Sequence, residues 1–218
     1  MGIDEGFVGM KTMLLAAGFA ASTLIFAAPA SAAINFTFGP GGSAPSTGFV
    51  VIDNFDTDAG ISGNGFEIKT PPADGNGAPP ASSDGSAYLS VLAGGSATIN
   101  FAKPVSGFQF DWGSIDSYNT LEISSPSGDE TIIPGSMNFM NPANGNQVAA
   151  GTNGLFTVIG APGQKFTSIT LTSSQNSFEI DNLATGVPEP ANWALMIVGF
   201  GAIGAMSRRR RASGAVTA

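Results

Sequence analysis

Phe108, Phe110 and Trp112 fall on one parity of a short segment, and Gln109 and Asp111 fall on the other. Successive side chains of an extended chain point to opposite faces, so this alternation predicts a strand with one face in a core and one in water. Phe178 and Ile180 set against Glu179 and Asp181 repeat the pattern. Other β-type runs are separated by glycine, proline, asparagine and serine clusters, and helical periodicity is scarce. Strands are predicted at 34–38, 49–55, 65–69, 87–92, 97–102, 107–112, 120–124, 130–133, 155–159, 166–172 and 177–183. That density predicts an all-β fold, a β-sandwich or jelly roll. No repeat of 20 to 50 residues is evident, which argues against a solenoid.

Two long polar loops interrupt the pattern. Residues 70–86 (TPPADGNGAPPASSDGS) are too rich in proline and glycine for a strand and are expected to be a mobile loop or one lying over a binding surface. Residues 134–154 carry Asn138, Asn141, Asn144 and Asn146.

Composition narrows the chemistry. The chain has neither cysteine nor histidine, which excludes disulfides, Ser-His-Asp and Cys-His nucleophilic systems, histidine-ligated zinc and thiolate metal sites. A metal would have to be held by oxygen, which favours calcium. Between Ala33 and Gly186 there are 13 acidic residues and three lysines, a net charge of about −10. Phosphate binding needs clustered lysine and arginine, so nucleic acid is disfavoured.

Both ends of the chain carry export signals. Lys11 precedes the apolar or small stretch 13–28, and Ala30-Ser31-Ala32 fits a small-x-small cleavage site, so residues 1–32 read as a signal peptide cut after Ala32. Asp4 and Glu5 are misplaced for such a peptide, and Met10 is the expected start of translation. At the other end, Val187-Pro188-Glu189-Pro190 precedes an uncharged run from Trp193 to Met206, and Arg208, Arg209, Arg210 and Arg211 close it. A helix over about 191–207 would span roughly 25 Å at about 1.5 Å per residue, just short of a ~30 Å hydrocarbon layer. Its backbone groups would be satisfied internally, and the arginines would hold that end in the cytoplasm. Residues 33–186 are thus expected to form one secreted domain, followed by a sorting tail and single transmembrane helix in 187–218.

The tail sequence Pro188-Glu189-Pro190-Ala191-Asn192-Trp193-Ala194, with its apolar helix and arginine cluster, resembles the PEP-CTERM sorting signal in its PEPxxWA form. That resemblance implies recognition around Val187, Pro188, Glu189, Pro190, Trp193 and Ala194 by exosortase in the inner membrane. It also implies transient anchoring, then residence at the cell surface or in extracellular polysaccharide. Residues 112–121 resemble a block that recurs in the bodies of exosortase-dependent surface proteins; those bodies carry no activity over to this chain.

Candidate ligand sites are fewer. The stretch 110–121 is densest in potentially functional residues. Trp112 shares parity with Phe108 and Phe110 and is expected in the core, leaving Tyr118 and Asn119 as glycan-binding candidates. Residues 178–183 (FEIDNL) resemble the last strand of some carbohydrate-binding β-sandwiches, in which a late aspartate ligates a structural calcium. By that resemblance Asp181 is a candidate ligand, with Asp53 or Asp56 as partners. Ser168, Thr170 and Thr172 form a short hydroxyl row, a weak signal for ice binding. The carboxylate pairs Asp111 with Asp116 and Glu179 with Asp181 are the hydrolase candidates. The leading expectation is an exported, non-enzymatic surface protein, with a carbohydrate-binding module as the alternative.

Overall fold

The computed structural model describes residues 34–42, 44–137, 140, 142–186 and 197–201. The fold is all-β. Its ten strands are β1 (Asn35–Gly39), β2 (Phe49–Asp53), β3 (Ile61–Lys69), β4 (Tyr88–Val105), β5 (Gly107–Gly113), β6 (Asn119–Ser124), β7 (Glu130–Ile132), β8 (Gly154–Ile159), β9 (Phe166–Ser173) and β10 (Phe178–Gly186). All pairings are antiparallel, in the order β1-β8-β5-β10-β4-β9-β6-β7, with β2 added to β10 and β3 to β4.

This continuous sheet folds over into two layers, and β4 makes the turn. Residues 89–91 of β4 pair with β10, whereas Gly95 to Val105 pair with β9, and β3 accompanies β4 through both parts. Glycine makes the bend feasible. A Cβ on Gly95 would lie 2.1 Å from the Gly65 carbonyl oxygen, and Gly65 itself has φ +63°, a region that disfavours other residues. Segments 87–92 and 97–102, expected as separate strands, are therefore one bent strand.

The core lies between the layers. Phe108 on β5 meets Phe101 of β4 at 5.6 Å and Phe166 of β9 at 5.7 Å, although neither strand is its neighbour in the sheet. Trp112 is fully buried and stacks on Phe178 at 4.4 Å with an interplanar angle of 5°, as its parity predicted. Phe156, Leu121, Ile123, Ile169 and Leu171 complete the apolar interior from β8, β6 and β9.

The expectation of a wet outer face on β5 and β10 is overturned. Every residue of β5 is buried, as is every residue of β10 before Gly186. The cover is the 70–86 segment, which lies across the outer side of both strands as a strap. Pro80 sits so close to Gly113 that a Cβ there would be 2.8 Å from the Pro80 Cα. Ala78 N–H donates to Glu179 Oε1 (3.2 Å), Ala81 N–H to Asn153 Oδ1 (3.2 Å) and Ser82 Oγ to Asp111 Oδ1 (3.0 Å). Two outward carboxylates and a side-chain amide thus serve as anchors for a segment with no strand of its own.

β10 runs from one end of the sheet to the other. Gly186 lies in the rank of Phe49, and Thr185 pairs with Phe108, so β10 finishes beside Gly107, Ile159 and Asn35. At its start, Glu179 pairs with Gly113. From Glu179 to Gly186 is roughly 23 Å at about 3.3 Å per residue.

Residues 197–201 are helical, and no helix among the described residues is long and apolar enough to cross a membrane. The cleavage-site residues Ala30 and Ala32, the motif residues Val187, Pro188, Glu189, Pro190, Trp193 and Ala194, and Arg208 to Arg211 lie outside the described residues.

Candidate functional site

A polar cleft opens at the end of the sheet where β5 finishes and β10 begins, with a volume of about 270 Å³. Four segments build it. The strap contributes Asp74 and Gly77, the β5–β6 turn contributes Ser114, Asp116 and Tyr118, the 133–153 loop contributes Asn144 and Gln147, and the approach to β10 contributes Asn176, Ser177 and Glu179. The lining contains no lysine or arginine.

Its walls are held by directed hydrogen bonds. Tyr118 donates its hydroxyl to the Asn176 carbonyl oxygen at 2.7 Å and stands beside the Asp116 carboxylate. The Asn176 side chain accepts from Ala93 N–H (2.7 Å) and donates to the Gly75 carbonyl (3.1 Å), tying the strap to the β4 bend. Asp116 bridges to Asn144, and a Cβ on Gly145 would come within 2.7 Å of both Asp116 oxygens. Gly145 also has φ +68°, so glycine is the residue that lets the loop close on this carboxylate.

Glu179 forms the floor. It is 2% exposed and accepts from Ser114 Oγ (2.8 Å), Ser177 Oγ and Ala78 N–H (3.2 Å). Burial raises its pKa, these three donors pull it back, and the charge of Asp116 raises it further. Burial also raises Asp116, opposed by the Tyr118 hydroxyl. Asp74 differs from both because Lys69 bonds it at 2.7 Å and holds its pKa low. The cleft therefore contains two carboxylates with no cation beside them.

Of the glycan candidates, Tyr118 lines the cleft and Asn119 does not. Asn119 is fully buried, donates to Ser173 Oγ and the Ser177 carbonyl (both 3.1 Å), and accepts from Asp116 N–H at 2.9 Å. Its chemistry is spent on shaping the turn that presents Tyr118. Asn144 and Gln147 of the 133–153 loop and Asn176 before β10 are the amides that line the cleft instead; only folding brings these two distant segments together.

The calcium candidates are not assembled. Asp53 accepts Phe55 N–H at 2.8 Å, and Asp56 accepts from Asn54 at 2.7 Å. Asp181 lies beneath the strap, opposite Asp111 in the β5–β10 register. Its charged neighbours are Asp84 and Asp111, whereas that of Asp53 is Asp56. No group of three acidic side chains that could hold a metal is found among the described residues.

The hydrolase pairs are also rearranged. Asp111 faces Asp181, not Asp116, and Glu179 shares its cleft with Asp116, not Asp181. Asp111 is well supplied with donors, from Ser82 (3.0 Å), Asn182 (3.1 Å) and the Gly42 backbone. Asp181 accepts Asn182 N–H at 2.7 Å through Oδ1, while its buried Oδ2 has no hydrogen-bond partner. Asn182 adopts φ +52° at the register shift in β10, a conformation asparagine tolerates, and so reaches both carboxylates. Burial, reinforced by the charges of Asp84 and Asp111, pushes Asp181 up to about 7 against the pull of Asn182 N–H.

The Ser168, Thr170 and Thr172 row continues across the outer face of the second layer. In register it meets Asn100, Thr98 and Ser96 of β4 and Ser124, Glu122 and Thr120 of β6. Thr98 and Thr170 hydrogen-bond each other at 2.9 Å, which spends hydroxyls an ice surface would need.

No family model matches this chain, and no curated protein matches its sequence. Among solved structures, it shows a likeness to a family 6 carbohydrate-binding module studied for its binding sub-sites. The TM-score is 0.32 and the identity 12%, over 64% of this chain and 93% of that one. A second likeness is to the agarase AgWH50C, with TM-score 0.26 and 11% identity, over 65% of this chain and 25% of the agarase. Likenesses at this level establish neither a shared fold nor a shared activity.

Proposed function

We propose that this protein is exported, processed through its C-terminal tail by exosortase, and held at the cell surface or in extracellular polysaccharide, where its β-domain binds an uncharged glycan without catalysing a reaction. The observation that carries the binding half is the cleft. Tyr118 supplies an aromatic ring, and Asn144 and Gln147 supply amides suited to sugar hydroxyls, while Asn176 is spent on holding the wall. Asp116 and Glu179, without a neighbouring cation, disfavour uronates and other acidic sugars. Glu179 is committed to three protein donors, which suits a fixed acceptor in the wall better than a mobile proton donor.

The cleft's position supports the same reading. It opens at the start of β10, whereas the chain leaves for the tail from the end of β10. A domain tethered by residues 187–218 would present the cleft away from the membrane, towards a surrounding matrix.

Two experiments test the two halves. Pull-down on neutral polysaccharides should retain the wild type and lose Tyr118→Ala and Gln147→Ala by tenfold or more, with an unchanged thermal melt for Gln147→Ala. Retention of both variants at wild-type levels would refute the cleft as the site, and release of soluble sugar would replace binding by hydrolysis. In the native cells, neutralising Arg208 to Arg211 should leave unprocessed or misplaced protein. Normal maturation of that variant would refute the sorting half.

A further inference from the structure

We propose that the end of the sandwich opposite the cleft is a membrane-resting surface, on which the β2 edge and the tip of β8 contact lipid headgroups. The inference rests on the tail-anchor reading and adds a second, protein-domain contact to it. Gly186 ends β10 in the rank of Phe49, Gly107 and Ile159, and the apolar run begins seven residues later, at Trp193. Seven extended residues reach about 25 Å at most, so an inserted tail keeps this end of the domain close to the bilayer.

The surface there is unusually apolar. Val50 pairs with Thr185, which pairs with Phe108, so its side chain belongs to the core-facing side of the first layer. By that point β4 has left β10 for β9, and the second layer no longer covers the β2 edge. Val50 is therefore 53% exposed and Ile52 49%. Beside them runs a groove of about 420 Å³ whose apolar wall is formed by Ile52, Ile99, Phe101 and Val105. Ile159 adds a further side chain, 44% exposed. The other large apolar side chains exposed by the described β-domain, Ile133 and Val148, belong to the 133–153 loop.

Lysine placement agrees. Lys103 lines the groove and Lys165 immediately precedes β9 at the same end, two of the three lysines in an otherwise acidic domain. Such side chains lay an aliphatic stem along apolar surface and carry the ammonium to lipid phosphates. Asp53 also lines the groove, and Asp129 lies on the β6–β7 turn, which favours a shallow contact at headgroup depth over deep insertion.

The absence of cysteine makes the test clean, because one introduced cysteine carries one probe. Full-length Ile52→Cys, Ile159→Cys, Val198→Cys and Gln147→Cys would each bear a polarity-sensitive dye in phosphatidylethanolamine/phosphatidylglycerol vesicles containing spin-labelled lipid. Quenching at 52, 159 and 198 should exceed that at 147 several-fold. Quenching at 198 with 52 and 159 no different from 147 would overturn the resting surface while leaving the tail anchor intact. Quenching at 52 and 159 without 198 would support the surface and remove the anchor. No quenching at any position would overturn both. A probe at 52 shielded equally with and without vesicles would mean that another part of the chain, or a second copy, fills the groove, and would also overturn the surface.

Discussion

Trp112→Ala should lower stability by about 3–5 kcal/mol, enough to unfold a domain of ordinary marginal stability at growth temperature. Trp112 is fully buried at the centre of an aromatic chain running from Phe108 through Phe110 to Phe178, and it also meets Phe156 edge-on at 5.4 Å. Removing the indole leaves a cavity that the rigid β5–β10 pairing cannot close, because the strap packs against the other side of both strands. Trp112→Phe keeps the ring contact and should cost about half as much, since the indole Nε1 has no partner to lose. Denaturant midpoints for the two variants check this. A Trp112→Ala midpoint within experimental error of wild type would contradict the two-layer core.

The second large effect is a fall in stability as pH rises, followed by recovery in Asp181→Asn. Asp181 has a folded pKa of about 7 against 3.8 in the unfolded chain. Below pH 3.8 both states carry the proton, and the raised pKa adds nothing to the pH dependence. Between 3.8 and 7 the folded state binds a proton that the unfolded state has released, so stability declines with rising pH and then levels off. The loss is on the order of 2–4 kcal/mol at one pKa unit per ~1.4 kcal/mol, less whatever solvent relaxation recovers. Asp111, Glu179 and Asp116 are raised by burial as well and slope the same way. Asp181→Asn removes the largest of these contributions and should make the protein more stable than wild type at pH 8 while changing little at pH 4. Urea unfolding at pH 4, 6 and 8 measures it. Parallel pH profiles for wild type and Asp181→Asn would show that Asp181 ionises freely beneath the strap.

Much of the architecture was legible because it depends on a period of two. Alternation at 107–112 and 177–183 located both central strands, put Trp112 inside, and put Asp111, Glu179 and Asp181 on the opposite face. What alternation could not reveal was a second cover. The outer face looked wet because its residues are polar, yet Ser82 and Asn182 donate to Asp111 and Ala78 to Glu179, which lets the 70–86 strap cover them. A proline- and glycine-rich segment has no period to read, so its docking is decided by partners more than twenty residues away.

The candidate site was half legible for the same reason. Tyr118 stood out as an aromatic in a polar turn, and it does line the cleft. Asn119, its neighbour, has the same local credentials but turns inward to bond Ser173 and Ser177. Asn144 was visible only as one of several asparagines in the 134–154 loop, and Gln147 and Asn176 carried no local signal, because their shared position depends on the close approach of two separate segments. The aspartates at 53, 56 and 181 suggested a metal site by likeness of sequence; Asp53 has Asp56 as its charged neighbour, whereas Asp181 has Asp84 and Asp111.

By itself, the sequence determined the all-β class, the two central strands, the inward tryptophan, the exclusion of histidine and thiol chemistry, and the arrangement of charge and apolarity at the C-terminal end. Those properties follow from residue type and from short-range period. Tertiary structure decided which polar residues are buried, which carboxylates face each other, and which end of the sheet carries the cleft. Each of these depends on strand register and on where one long strand bends between layers, and neither is encoded within the reach of a local pattern.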